Sequence, residues 1–261
     1  MWTRKELKDR AKQVLRTSYW KAFLVGLLLT FVSGGLPNCS YQGGGSSSGS
    51  HNETGGISGS FGGLGELFNG EMNVIIWSVL IVFFIIMGLV IVATIAFGIF
   101  LGFPLLVGAR QYYKQAAQDD VNMNYLGYAF VRGRYMAIVK GMLWMTLLNF
   151  LWFLLLIIPG FVKRYAYSMV PYILADHPGI GTKRAVELSN QMTRGHKWNM
   201  FVLDLSFIGW YLLGILALIV GVLFVMPYVY STHAELYLAI RRQALEEGIS
   251  SRAELNLPDP V

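Results

Sequence analysis

The pattern of polar and apolar positions opens with an amphipathic helix and then gives way to long unbroken apolar blocks. Thr3 and Glu6 form a T-x-x-E capping box, with Trp2 and Leu7 placed as a hydrophobic staple around it. Leu7, Ala11, Val14 and Leu15 fall on one helical face, and Arg4, Lys5, Lys8, Arg10, Lys12 and Arg16 fall elsewhere. The blocks that follow are Ala22 to Leu36, Met72 to Val107, Gly141 to Phe161 and Leu205 to Tyr230. Met72 to Val107 carries no charged side chain, and roughly 20 apolar residues suffice to cross the hydrocarbon of a bilayer. The pattern predicts an all-α fold, a polytopic membrane helix bundle.

A weak internal repeat organises the blocks. SYWKAFLVGLLL, GRYMAIVKGMLW and GHKWNMFVLDLS each set basic or aromatic residues before an apolar run. Each apolar stretch is followed by a proline (Pro104, Pro159, Pro227) and then by a more polar, tyrosine-bearing helix. This reads as three proline-marked helical hairpins, about six spans in all, with both termini cytoplasmic; proline is tolerated at such bends because neighbouring helices re-satisfy the freed carbonyls. Two features strain this arrangement. Lys163 and Arg164 fall near the outer end of the fourth span, and the segment from Gly160 to Asp176 is short and semi-polar. Five full spans plus a re-entrant helix is the alternative.

Composition agrees with the blocks. The 261 residues are 54% hydrophobic and 14% charged, with a mean hydropathy of +0.49, against roughly 25% charged residues in soluble domains. The net charge of +6 and pI of 9.4 would suit nucleic acid, but the distribution argues against that partner. Seven of the 21 basic residues lie in the first 21 positions, and none lies between Pro37 and Arg110. This is the asymmetry of the positive-inside rule, and it suits anionic lipid headgroups. No motif for reading DNA or RNA accompanies it. The first 18 residues are accordingly expected as an amphipathic helix on the cytoplasmic surface of the membrane, in preference to one packed on the protein's own loops.

Residues 37–72 are rich in glycine and serine and lack lysine and arginine, so they read as a flexible external loop. Asn52-Glu53-Thr54 matches a glycosylation acceptor and Gly45 to Gly49 matches G-x-S-x-G. Both matches are cheap in such a tract, and the second lacks the strand-turn-helix context that a nucleophile elbow needs. Cys39 is the single cysteine, so no intrachain disulfide is available. The whole chain, 1–261, is expected as one integral membrane domain, with 243–261 as a cytoplasmic tail.

Signatures of catalysis, metal binding or phosphate cradling are absent, and no cofactor is expected. Ionisable groups inside apolar runs are then the places to look for function. Asp204 stands in the third apolar run, where it is read first as a paired structural acid and second as a proton or cation carrier. Glu235 is placed to face Asn149, Lys163 or Arg164 across the bundle, which would account for those outward cations. Arg194, His196, Lys197 and Trp198, with Tyr19, Trp20 and Lys21, read as interfacial anchors. Gly98-x-x-x-Gly102 and Ala217-x-x-x-Gly221 read as close helix contacts.

Ile158-Pro-Gly, the run Ser168 to Asp176, and Gly195-His-Lys-Trp through Leu203 to Trp210 carry a resemblance. So do Arg4 to Lys8 and Tyr19-Trp20-Lys21. On these motifs the chain resembles a family of bacterial, mainly Gram-positive, multispan integral membrane proteins of unknown function. More distantly its layout is similar to the membrane domain of some glycerophosphodiester phosphodiesterases, without their soluble catalytic domain. The resemblance implies a multispan fold in a bacterial cytoplasmic membrane and supplies no activity. The function expected is that of a non-enzymatic accessory or adaptor binding membrane lipids, anionic headgroups among them, or a membrane-protein partner. The alternative is a small-molecule or lipid transporter using Asp204 and Glu235. An intramembrane enzyme acting on headgroups is a weaker third reading.

Overall fold

The computed structural model describes residues 2–33, 70–216 and 220–258. The expected loop at 37–72, Cys39 and Ala217 lie wholly or largely outside these residues. All regular structure among the described residues is helical. The chain divides into two units: residues 40–97, whose described element is α2 (Gly70–Phe97), and the remainder, residues 1–39 and 98–261.

In the larger unit, α1 (Arg4–Ser33) begins as the capping box predicts, with Glu6 N donating to Thr3 Oγ1 at 3.3 Å. The reciprocal half is missing, because the Glu6 carboxylate accepts from Arg10 at 2.9 Å instead. A kink at Ser18 (φ −132°, ψ 22°) separates the basic half from the apolar half. The Ser18 hydroxyl donates back to Val14 O at 3.0 Å, a bond that competes with the helical ladder and bends it. Leu7, Ala11, Leu15, Ala22, Val25 and Leu29 are all buried on one continuous face. That face packs along α10 (Val220–Glu246). For the first 18 residues, expected on the membrane surface, the structure shows the apolar face buried inside the protein. Their apolar face is taken up by the protein's own core, where burial of each leucine is worth about 1.5–3 kcal/mol.

A π-helical turn, Gly98–Gly102, leads into α3 (Phe103–Ala116). Pro104 follows directly on the π-helical turn, whose wider winding interrupts the regular ladder and accommodates a residue without an N–H, so the backbone stays helical through it. Pro227 is likewise inside α10. Of the three predicted prolines, only Pro159 stands at a hairpin. It follows extended Leu156 (φ −158°, ψ 135°) between α4 (Tyr135–Leu155) and α5 (Ile157–Tyr167), which pack together.

The segment 160–176 is not one span. α5 stops at Tyr167 because Pro171 cannot supply the next N–H and would crowd the carbonyl one turn back. α6 (Val170–Asp176) then restarts the helix with Pro171 in its first turn, and all seven of its residues are buried. The last predicted run also breaks, at Ser206–Phe207, into α8 (Lys197–Leu205) and α9 (Ile208–Leu216). α7 (Thr182–Met192) precedes them.

Two glycines set close approaches. A methyl at Gly108 would sit 2.3 Å from Leu126 O, and one at Gly141 would sit 2.8 Å from Leu174 Cδ1. These positions seat α3 on the 3-10 segment Met123–Phe130 and α4 on α6. Gly98, expected in a close pair, has open space around it. Residues 243–258 form no free tail: Leu255 is fully buried and Ala244 belongs to the core.

Candidate functional site

α3, α6 and α10 converge on one buried carboxylate. Asp176 is the last residue of α6, where the helix dipole disfavours an acid, and its side chain is only 2% exposed. Cations must therefore offset it. Lys114 of α3 bonds Oδ1, and on Oδ2 Arg241 donates at 3.0 Å beside Tyr237 of the same helix. Tyr237 stacks on Tyr172 of α6 with ring centroids 4.9 Å apart. Arg110, one turn before Lys114, donates to the Tyr172 hydroxyl at 3.2 Å and lies 4.9 Å from the Tyr230 ring centroid.

A second cluster surrounds Asp204. His233 Nε2 lies 2.9 Å from Oδ1 and the Tyr165 hydroxyl donates to Oδ2 at 3.0 Å. Arg164 adds a favourable charge. This site is more open, with Asp204 at 15% and His233 at 25% side-chain exposure. At the adjoining helix break, Lys8 of α1 donates to Ser206 Oγ at 2.7 Å and lies 4.5 Å from the Phe207 ring centroid.

One stripe of α10 serves both clusters. Tyr230, His233, Tyr237 and Arg241 recur at intervals of three and four residues, so they share a face. Glu235, two positions from His233, points elsewhere. The charges acting on it are those of Arg10, Asp119, Arg242 and Glu6. Its expected partnership with Asn149, Lys163 or Arg164 is thus corrected. Lys163 instead lies 4.8 Å from the Trp152 ring centroid and 5.9 Å from that of Tyr167. Asn149 Oδ1 is buried without a hydrogen-bond partner.

Among the expected anchors, Trp20 (70%) and Trp198 (71%) are widely exposed, as are Lys21 and Arg194. Lys197 donates to Asn190 at 3.2 Å. Tyr19 is half-buried and donates to Phe224 O at 3.1 Å, in the turn before Pro227. His196 is buried against Trp2, with ring centroids 6.0 Å apart, and is no surface anchor.

The C-terminal segment is pinned by Glu254. Its carboxylate accepts from Arg184 Nε at 2.6 Å and from Ser250 at 2.8 Å, while its carbonyl meets His177 Nδ1 at 2.8 Å. The Arg184 hydrogen bond holds the Glu254 carboxyl below the usual glutamate range. Among the described residues no three His, Cys, Asp or Glu side chains gather to hold a metal ion.

A family model described as "Protein of unknown function (DUF975)" matches residues 75–244. The chain belongs to this family. Both aspartate clusters lie inside the DUF975 segment, whereas α1 and Glu254 itself lie outside it. No curated protein and no solved structure matches the chain.

Sequence reasoning missed Lys114, Tyr237 and Arg241, although it had marked the run ending in Asp176. The available signal was the polar stripe of α10, facing Arg110 and Lys114 one turn apart on α3.

Proposed function

We propose that this DUF975 chain is a multi-pass protein of a bacterial cytoplasmic membrane, with both termini cytoplasmic, acting as a non-enzymatic accessory or adaptor. Two helices are long and apolar enough to cross a membrane, Ile76–Ala116 and Tyr135–Leu155. The unbroken apolar run from Ile76 to Phe97 supports a lipid environment, since roughly 20 such residues suffice to cross the hydrocarbon. The arrangement of about six spans is carried into this proposal in altered form. α5, with 11 residues, and α8 and α9, with 9 each, reach roughly 14–17 Å at 1.5 Å per residue. A core of ~30 Å is then entered but not crossed by each of them alone.

The observation that carries the adaptor reading is the saturation of Asp176. Both of its oxygens are taken, by Lys114, Tyr237 and Arg241, which suits a sealed structural core better than a pathway. The transporter reading retains one favourable observation, the partial exposure of Asp204 and His233. Glu235 turns away from them, which removes half of its proposed pathway.

Affinity purification from native membranes, paired with proteoliposome flux, tests the proposal. A stoichiometric protein partner and an intact proton gradient support it. A chain recovered alone, with a flux abolished by Asp204→Asn, overturns it.

A further inference from the structure

We propose that Arg110 binds a phosphate group, gripped side-on by its guanidinium where α3 meets α6 and α10. The site goes beyond the adaptor reading and does not depend on it. Nη1 of Arg110 donates to the Tyr172 hydroxyl at 3.2 Å. The guanidinium carbon lies 5.3 Å from the Tyr172 ring centroid and 4.9 Å from that of Tyr230. Tyr230 is seated in turn against Tyr113, ring centroids 5.4 Å apart, and the Tyr113 hydroxyl donates to Ala22 O at 2.6 Å. Residues of α1, α3, α6 and α10 thus fix where this guanidinium lies.

The donors left over define the ligand. With Nη1 spent on Tyr172, the remaining edge is Nε with Nη2, whose N–H groups point the same way and match two oxygens of one oxyanion. Nε is buried without a hydrogen-bond partner, and Nη2 finds no acceptor among the described residues. The Tyr172 hydroxyl accepts from Arg110 and keeps its own proton for a further oxygen. A tetrahedral phosphate uses all three donors, whereas a carboxylate has only two oxygens to offer.

Charge points the same way. Arg110, Lys114 and Arg241 stand at this junction against one carboxylate, Asp176, whose oxygens are taken by Lys114, Tyr237 and Arg241. No carboxylate among the described residues pairs with Arg110. Ring contacts return only part of what a cation loses on leaving water, so an anion from outside completes the junction. The approach is open: Arg110 is partly exposed, and so are Leu106 and Phe103, one and two turns earlier on the same face of α3. A lipid headgroup and a free phosphate ion present the same group to this edge.

Native mass spectrometry of the full chain in detergent, titrated separately with phosphatidylglycerol, diacylglycerol and inorganic phosphate, tests the site. Phosphatidylglycerol or inorganic phosphate should bind, and diacylglycerol, which lacks the phosphate, should not. Arg110→Gln should weaken that binding about thirtyfold, as expected for hydrogen bonds to a charged group. Arg110→Lys, which keeps the charge without the fork, should recover only part of it. Lys5→Gln with Arg16→Gln, two exposed cations of α1, should leave it intact. If Arg110→Gln fails to fold, Tyr172→Phe is read instead; without the acceptor that holds Nη1 it should bind about fivefold more weakly. Bound phosphatidylglycerol that millimolar inorganic phosphate does not displace assigns the site to a headgroup; displacement assigns it to the free anion, and either supports the inference. Binding unchanged in Arg110→Gln overturns it, as does an equal loss in the α1 variant. Equal binding of diacylglycerol, or a wild-type chain that binds neither phosphate probe, overturns it too. Full binding by Arg110→Lys overturns the side-on grip.

Discussion

Asp176 and Asp204 make a natural pair. Each stands at the C-terminal end of a short helix, where the dipole disfavours it, and each is met by a residue of the same α10 stripe. Their solutions differ. Asp176 is enclosed by two cations and a tyrosine from two other helices, whereas Asp204 is met by a histidine and a tyrosine and keeps some exposure. Hydropathy singled out the second because its neighbours in sequence are apolar. The more deeply buried acid is the one whose partners come from distant parts of the chain.

The sharpest way to break this comparison is Asp176→Asn. It leaves Lys114 and Arg241 without their acid, and removing one partner of a buried ion pair costs about 3–5 kcal/mol. The expected outcome is loss of the monodisperse species on size-exclusion chromatography or a large drop in Tm. Gly108→Ala comes next, because its methyl meets a backbone carbonyl that cannot easily move. About 1–3 kcal/mol of destabilisation is expected from such overpacking, with hydrogen exchange rising in α3 and α6 before α8.

Asp204→Asn tests the other half. It should cost about 1.5 kcal/mol, the range for hydrogen bonds to a charged group, and a thermal melt measures it. A loss equal to that of Asp176→Asn would show that exposure makes no difference between the two sites.

The smallest effect is expected at the Glu254 latch, and it depends on pH. A carboxyl held low in the folded state contributes stability above its unfolded pKa of about 4.3. That contribution is lost as pH falls through the lower folded value. Protease cleavage near Leu255 should therefore rise below about pH 4.3, and Arg184→Gln should abolish the pH step. The Glu254 side chain keeps 23% exposure, so screening keeps the effect small.

What could be read from the sequence follows the range of the interaction. The cap at Thr3, the apolar face of α1 and the hairpin at Pro159 depend on residues within a turn or two of one another, and each was legible. The reversals expected at Pro104 and Pro227 were not, because the π-helical turn accommodates the first and the helix tolerates the second within. The break at Ser206–Phe207 gave no such local sign, since apolar residues continue through it. At the site level Asp204 was found and its partners were not. His233 is far from Asp204 in sequence, and only the rotation of α10 decides which of His233 and Glu235 faces which neighbour.

The seating of α1 along α10 also bears on the order of synthesis. Leu7, Ala11 and Leu15 are made before α3 and long before α10, the helix that covers them. Until α10 is made, α1 lacks its main packing partner, although α3 already offers it part of a surface. Closure of this core is therefore a late event, and a nascent chain arrested before α10 exposes an amphipathic basic helix to whatever chaperone or membrane surface is at hand.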